Sequence, residues 1–127
     1  MKLWIDDMRS APEGYVWCKS VNDAIIYIER NERQQKNILK IALHHLQTYN
    51  MALYLGGLKL INNRSIDLID IDLNAGEYAS DGGDYIKLLD WLEETGRNYP
   101  IRIHSTKPVG VENMRRIIVR NGRKEVK

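Results

Sequence analysis

The chain has 127 residues, 43% of them hydrophobic and 28% charged, with a formal net charge of +2. That length gives one domain with a core of its own, and so slight a charge gives no argument for nucleic acid. The single cysteine, Cys18, excludes an internal disulfide and fits a reducing compartment. No secretory leader pattern and no apolar stretch of bilayer length is found, so the expectation is a cytoplasmic protein with no membrane partner.

The first predicted element is a short buried strand at residues 3–5. It runs straight into two adjacent carboxylates, Asp6 and Asp7, and then Arg9. Two like charges side by side cost energy unless something positive sits between them. Residues 15–20, YVWCKS, read as a second strand, and Ser20 or Asn22 caps a helix from Val21 to about Glu32. In the next stretch, Ile38, Ala42, Leu46 and Tyr49 repeat at helical spacing. Gly56 and Gly57 then separate two short apolar runs, as a hairpin turn or as a helix terminus.

Residues 66–73, IDLIDIDL, form a central strand with its carboxylates, Asp70 and Asp72, at its end. A loop follows over 74–83, then a helix over 84–96 with Leu88, Leu89 and Leu92 in its stripe and Gly96 as its stop. Residues 100–105, PIRIHS, are a further strand, and Pro108 opens a last helix. Trp4, Trp17 and Trp91 are expected in the core, and His44 and His45 on the surface. The basic residues Arg115, Arg116, Arg120, Arg123, Lys124 and Lys127 are read as a solvated helix end and tail, or as contacts to nucleic-acid backbone.

Short apolar strands alternating with helices indicate an α/β fold with a mostly parallel sheet, whose ligands bind beyond the carboxyl ends of the strands. Asp6, Asp7, Asp70, Asp72, His104 and Ser105 all fall there. Carboxylates from two strand ends make a hard-oxygen site for Mg2+ or another divalent cation, with Asp6, Asp7 and Asp70 as the leading ligands and Asp72 as a fourth. His104 suits a general acid or base, or a phosphate donor; Ser105 and Lys107 suit phosphoryl oxygens. Alternatively, Ser105 caps a helix and His104 is a partly buried structural residue. Arg9 either binds phosphate in a fork geometry or pairs with Asp7.

These motifs resemble the response-regulator receiver domain and, more closely, its cyclic-phosphate processing branch. WIDDMRSAPEGY matches the opening of that branch, DIDL at Asp70–Leu73 its central motif, and HSTKPVGVENM its last. The resemblance implies a flavodoxin-like three-layer sandwich, bound magnesium, and a central aspartate, Asp70, that accepts a phosphoryl group. It also implies a role in processing cyclic phosphates, on a phosphate-containing small molecule or an RNA end. Three features depart from the branch. Ile71 replaces its histidine, Lys107 replaces its asparagine, and the lysine that ordinary receivers carry after a fifth strand has no clear counterpart.

The chain is thus expected to be one receiver-like domain over 1–127 with an insertion at about 33–63. The insertion is apolar enough to be a flap, a homodimer contact or a protein-partner surface. Three functions compete. The first is a magnesium-dependent phosphoesterase acting on cyclic phosphates, with His104, Asp70 and Ser105 catalytic and Arg9 and Lys107 holding phosphate. The second is a stand-alone signalling receiver phosphorylated on Asp70, and the third a degenerate interaction module.

Overall fold

The computed structural model describes every residue except 106, 121, 123 and 124. The elements in chain order are β1 (Lys2–Ile5), β2 (Tyr15–Cys18), α1 (Val21–Gln47), α2 (Met51–Arg64), β3 (Leu68–Ile71), a 3-10 turn (Gly76–Ser80), α3 (Ile86–Glu94), β4 (Ile101–Ile103) and α4 (Pro108–Arg120). They fall into two compact units, Met1–Ile25 with Ile66–Lys127, and Ile26–Ser65.

The first unit is α/β. Its sheet has the order β2-β1-β3-β4 with every neighbouring pair parallel, the order of a flavodoxin-like, receiver-type fold. Beyond α4, Glu125 makes a parallel bridge to Ile101, and the Val126 N–H donates to the Ile101 carbonyl at 2.7 Å. That places the chain beside β4, where the fifth strand of such a sheet would lie.

The strands alternate sharply between faces. Leu3, Ile5, Ile69, Ile71 and Ile101 are fully buried, as are Leu88, Leu89 and Leu92 of α3 and Met114 and Ile118 of α4. Each such side chain contributes about 1.5–3 kcal/mol by leaving water. The register pairs Trp4 with Asp70 and Asp70 with Arg102, so the opposite face carries an aromatic and an ion pair. Trp4, Trp17 and Trp91 are half-buried rather than core residues. The reason is visible for two of them, because an indole N–H needs an acceptor: Trp4 Nε1 donates to the Arg9 carbonyl and Trp17 Nε1 to the Asp6 carbonyl.

Parallel strands are usually joined through a dozen or more residues, yet β1 reaches β2 through residues 6–14 with no helix. Asp6 makes this tight connection possible. Its Oδ1 accepts the backbone N–H groups of Met8 and Arg9 at 2.9 and 2.8 Å. Gly14, at φ 84°, turns the chain into β2. Ser20 then caps α1, its Oγ accepting the Asp23 N–H at 3.0 Å.

The second unit is a helical hairpin. The helix expected to stop near Glu32 continues to Gln47, because no glycine or proline interrupts a run of good helix formers. Tyr49, expected in that helix, instead makes the turn with a left-handed φ of 59°, and Asn50 caps α2 by accepting the Leu53 N–H. Gly56 and Gly57 form neither a β-turn nor a helix end but lie inside α2. Gly57 has a packing reason: a Cβ there would stand 2.8 Å from the Ala42 Cβ, so the two helices meet at a point only glycine allows. At the base of the hairpin, Asn31 and Gln35 of α1 donate to the carbonyls of Arg64 and Ile61.

Candidate functional site

The loops after β1, β3 and β4 enclose a cavity of about 290 Å³. Asp7, Met8 and Arg9 line it from the first loop, Asp72, Leu73 and Asn74 from the second, and Ser105 and Lys107 from the third. This is the strand edge at which the sequence gathers its charged and hydroxyl residues. The four acidic residues nevertheless divide into two pairs with different surroundings.

Asp6 and Asp70 are buried and saturated. Asp6 Oδ2 lies 2.9 Å from His104 Nε2 and 3.1 Å from Arg9 Nε, while its Oδ1 holds the two backbone amides. Asp70 Oδ1 lies 2.5 Å from His104 Nδ1, and its Oδ2 takes Arg102 Nε and Nη2 at 2.7 and 2.6 Å. Burial alone would raise the Asp6 carboxyl, but hydrogen bonds from the Arg9 and Met8 amides and from His104 outweigh it and hold the group below its ordinary value. Burial likewise pushes Asp70 up, and His104 and Arg102 bring it down further. Both acids are therefore ionised and can only accept hydrogen bonds.

His104 bridges them, one ring nitrogen to each, and its ring stacks flat on Trp4 with centroids 3.8 Å apart. Each ring nitrogen lies within hydrogen-bonding distance of a carboxylate oxygen, so both are engaged inside the protein. The expectation that His104 gives a proton to a substrate meets this obstacle. Asp70 meets a similar one: it is the third residue of β3 rather than its end, it is buried, and neither oxygen is open to an incoming phosphoryl group.

Asp7 and Asp72 are the acids at the cavity. Asp7 has no hydrogen bond or ion pair among the described residues, and its carboxylate lies against Gly76, where a Cβ would come within 2.2 Å of its Oδ2. Asp72 has its backbone N–H on the Ile5 carbonyl and its Oδ1 3.3 Å from Arg9 Nη2. A negative field acts here. The buried Tyr85 hydroxyl is pushed up, first by burial and then by Asp7, Asp6 and Asp72 in that order.

Arg9 pairs with Asp6 and Asp72 and donates to the His104 carbonyl at 3.0 Å; it does not pair with Asp7. Ser105 and Lys107 line the cavity, with the Lys107 N–H on Ser105 Oγ. Cys18 is no nucleophile, since burial pushes its thiol up to about 12.

Asp6, Asp72 and His104 bring one potential ligand atom each within 4.8 Å of one another. Asp6 and His104 already bond each other, which leaves Asp72, paired with Arg9 through Oδ1, as the member that also lines the cavity. The set Asp6, Asp7 and Asp70 expected around one cation is thus not the set the cavity brings together, because Asp6 and Asp70 face His104 instead. Asp7 and Asp72 are the two acids that line the cavity, and carboxylate oxygens are the donors a hard cation such as Mg2+ takes.

Sequence reasoning missed Arg102 and Gly76, and placed Trp4 in the core rather than against His104. Arg102 left a signal, a cation alternating with isoleucines in PIRIHS two residues before His104. Gly76 left none, because its role depends on where Asp7 folds. Of the basic tail, Arg115 binds Glu125 and Arg120 binds Glu93, while Arg123 and Lys124 lie outside the described residues. No described helix is long and apolar enough to cross a membrane.

The model of one family, described as the cyclic-phosphate processing receiver domain, matches residues 1–55 and 47–120. The two matched segments meet at the turn of the α1–α2 hairpin. No curated protein and no solved structure matches the chain.

Proposed function

Because the chain belongs to the cyclic-phosphate processing receiver domain family, we propose that its cavity is a divalent-cation site that opens cyclic phosphates carried by a small molecule or an RNA end. One observation carries this reading. Two acids with oxygens to spare, Asp7 and Asp72, share a cavity with the phosphate donors Ser105, Lys107 and Arg9.

Asp7 and Asp72 would hold the cation. When bound, it supplies charge that polarises a phosphate oxygen and lowers the pKa of a coordinated water. The Ser105 hydroxyl and the Lys107 ammonium donate to the non-bridging oxygens. Arg9 has a double allegiance: it neutralises Asp72 in the free protein and can turn its guanidinium to a phosphate. Ring opening needs a proton on the departing oxygen, and Lys107 Nζ supplies it, since Arg9, the other cation lining the cavity, is held in ion pairs with Asp6 and Asp72. His104 acts at one remove. Held by Asp6, Asp70 and Trp4, it fixes the start of the β4–α4 loop and presents its carbonyl to Arg9.

The test is Mg2+ calorimetry followed by 31P NMR of a five-membered cyclic phosphodiester. Wild type is expected to bind Mg2+ and convert the cyclic ester to a monoester, and Asp7→Asn and Asp72→Asn to lose both. Turnover should fall by about a hundredfold in Lys107→Met, the scale of general acid help, with Mg2+ binding unchanged. Metal binding without turnover of any cyclic phosphate would overturn the enzymatic reading. Labelling of Asp72 by acetyl phosphate would then favour a signalling receiver.

A further inference from the structure

Five of the eight residues that line the cavity have a part in the proposed chemistry, Asp7 and Asp72 for the cation and Arg9, Ser105 and Lys107 for phosphate. Met8, Leu73 and Asn74 line it too and have none. Met8 is held at the rim by its backbone: its N–H donates to Asp6 Oδ1 at 2.9 Å, while the residue is 83% exposed. A thioether in that position is a soft, adaptable surface that makes favourable contacts with aromatic rings. Leu73 is pinned instead, its Cδ2 within 2.1 Å of where a Cβ on Gly110 would stand. The Asn74 amide has no hydrogen bond among the described residues, so its donor and its acceptor are both open to a ligand.

We infer that Met8, Leu73 and Asn74 form a nucleobase subsite, so that the cyclic phosphate opened here belongs to a nucleoside, free or at an RNA end. The inference rests on the cavity being the cyclic-phosphate site proposed above. Together the three side chains match a group with a flat apolar face and an edge of donors and acceptors. A sugar brings hydroxyls without such a face, and an acyl chain brings apolar surface without such an edge. A base brings both. The size agrees. The cavity of about 290 Å³ has the volume of about ten waters. A cyclic phosphate and its cation therefore leave room for the edge of an attached ring, and Met8 at the rim meets the rest of it.

Two esters with the same five-membered ring test this in the presence of Mg2+, followed by 31P NMR. One is adenosine 2′,3′-cyclic phosphate; the other is methyl riboside 2,3-cyclic phosphate, which lacks the base. The nucleoside ester is expected to have the higher kcat/KM by at least about tenfold, chiefly through a lower KM. Met8→Ala and Asn74→Ala are each expected to cut that ratio by about fivefold, by raising KM for the nucleoside ester. With the ratio upheld, a trinucleotide carrying the same cyclic end separates the two sources. A higher kcat/KM than the free nucleoside ester assigns the RNA end, and a lower one the free nucleotide. Equal kcat/KM for the two esters would overturn the subsite and leave the proposed reaction standing, as would a ratio indifferent to both substitutions. Loss of Mg2+ binding in Asn74→Ala would put its amide on the cation and overturn the subsite as well. Turnover of neither ester would remove the reaction, and the subsite with it.

Discussion

The Asp6 carboxylate closes its own loop and receives His104, whereas its neighbour Asp7 lies against a glycine with no donor. That difference is why the proposed function gives Asp6 a structural part and Asp7 a chemical one. His104 is also the shared partner of two carboxylates that are each 1% exposed, so its removal takes one partner from both. Breaking a buried pair by deleting one partner typically costs about 3–5 kcal/mol. His104→Ala is therefore expected to lose stability on that scale in urea denaturation. A variant as stable as wild type would mean that Arg9 and Arg102 alone balance Asp6 and Asp70.

At the scale of elements, the short turn after β3 decides where Asp7 goes. Gly76 opens it with φ at 55°, in the left-handed region, and its missing side chain is the space the Asp7 carboxylate uses. Gly76→Ala would push that carboxylate away from the cavity while leaving the sheet intact. Mg2+ affinity is expected to fall by about tenfold, or 1.4 kcal/mol, with an unchanged circular dichroism spectrum. Calorimetry showing equal affinity would remove Asp7 from the cation site. α4 is tied to the same edge. A Cβ on Gly110 would fall 2.1 Å from Leu73 Cδ2, so the start of the helix that follows the Ser105–Lys107 loop rests on the loop that carries Asp72.

For the molecule as a whole, the buried network links stability to acid. The Asp6 and Asp70 carboxyls lie below their ordinary value of 3.8 in the folded chain, so the unfolded chain takes up protons first as pH falls. Their contribution is complete above the unfolded value and is lost as pH drops through the lower folded values. The urea midpoint is expected to hold from neutral pH to about pH 5 and to fall steeply by about pH 3. A flat profile would show that the network contributes nothing.

Much of this molecule was legible in advance. The alternation of apolar strands and helices, the Ser20 cap, Pro108 at the start of α4 and the motif resemblance depend on neighbouring residues, and local chemistry is what a sequence displays. The gathering of Asp7, Asp72, Ser105 and Lys107 at one edge follows from the parallel order. Two things were decided only in three dimensions. One is the division of the acids, because Asp70 and Asp72 differ in surroundings through Arg102 and His104, which reach Asp70 from more than thirty positions away. The other is the path of residues 33–63, where glycines that read as a break sit inside a helix. Gly57 is tolerated there because Ala42 packs against it across the hairpin, a contact between helices that no local pattern encodes.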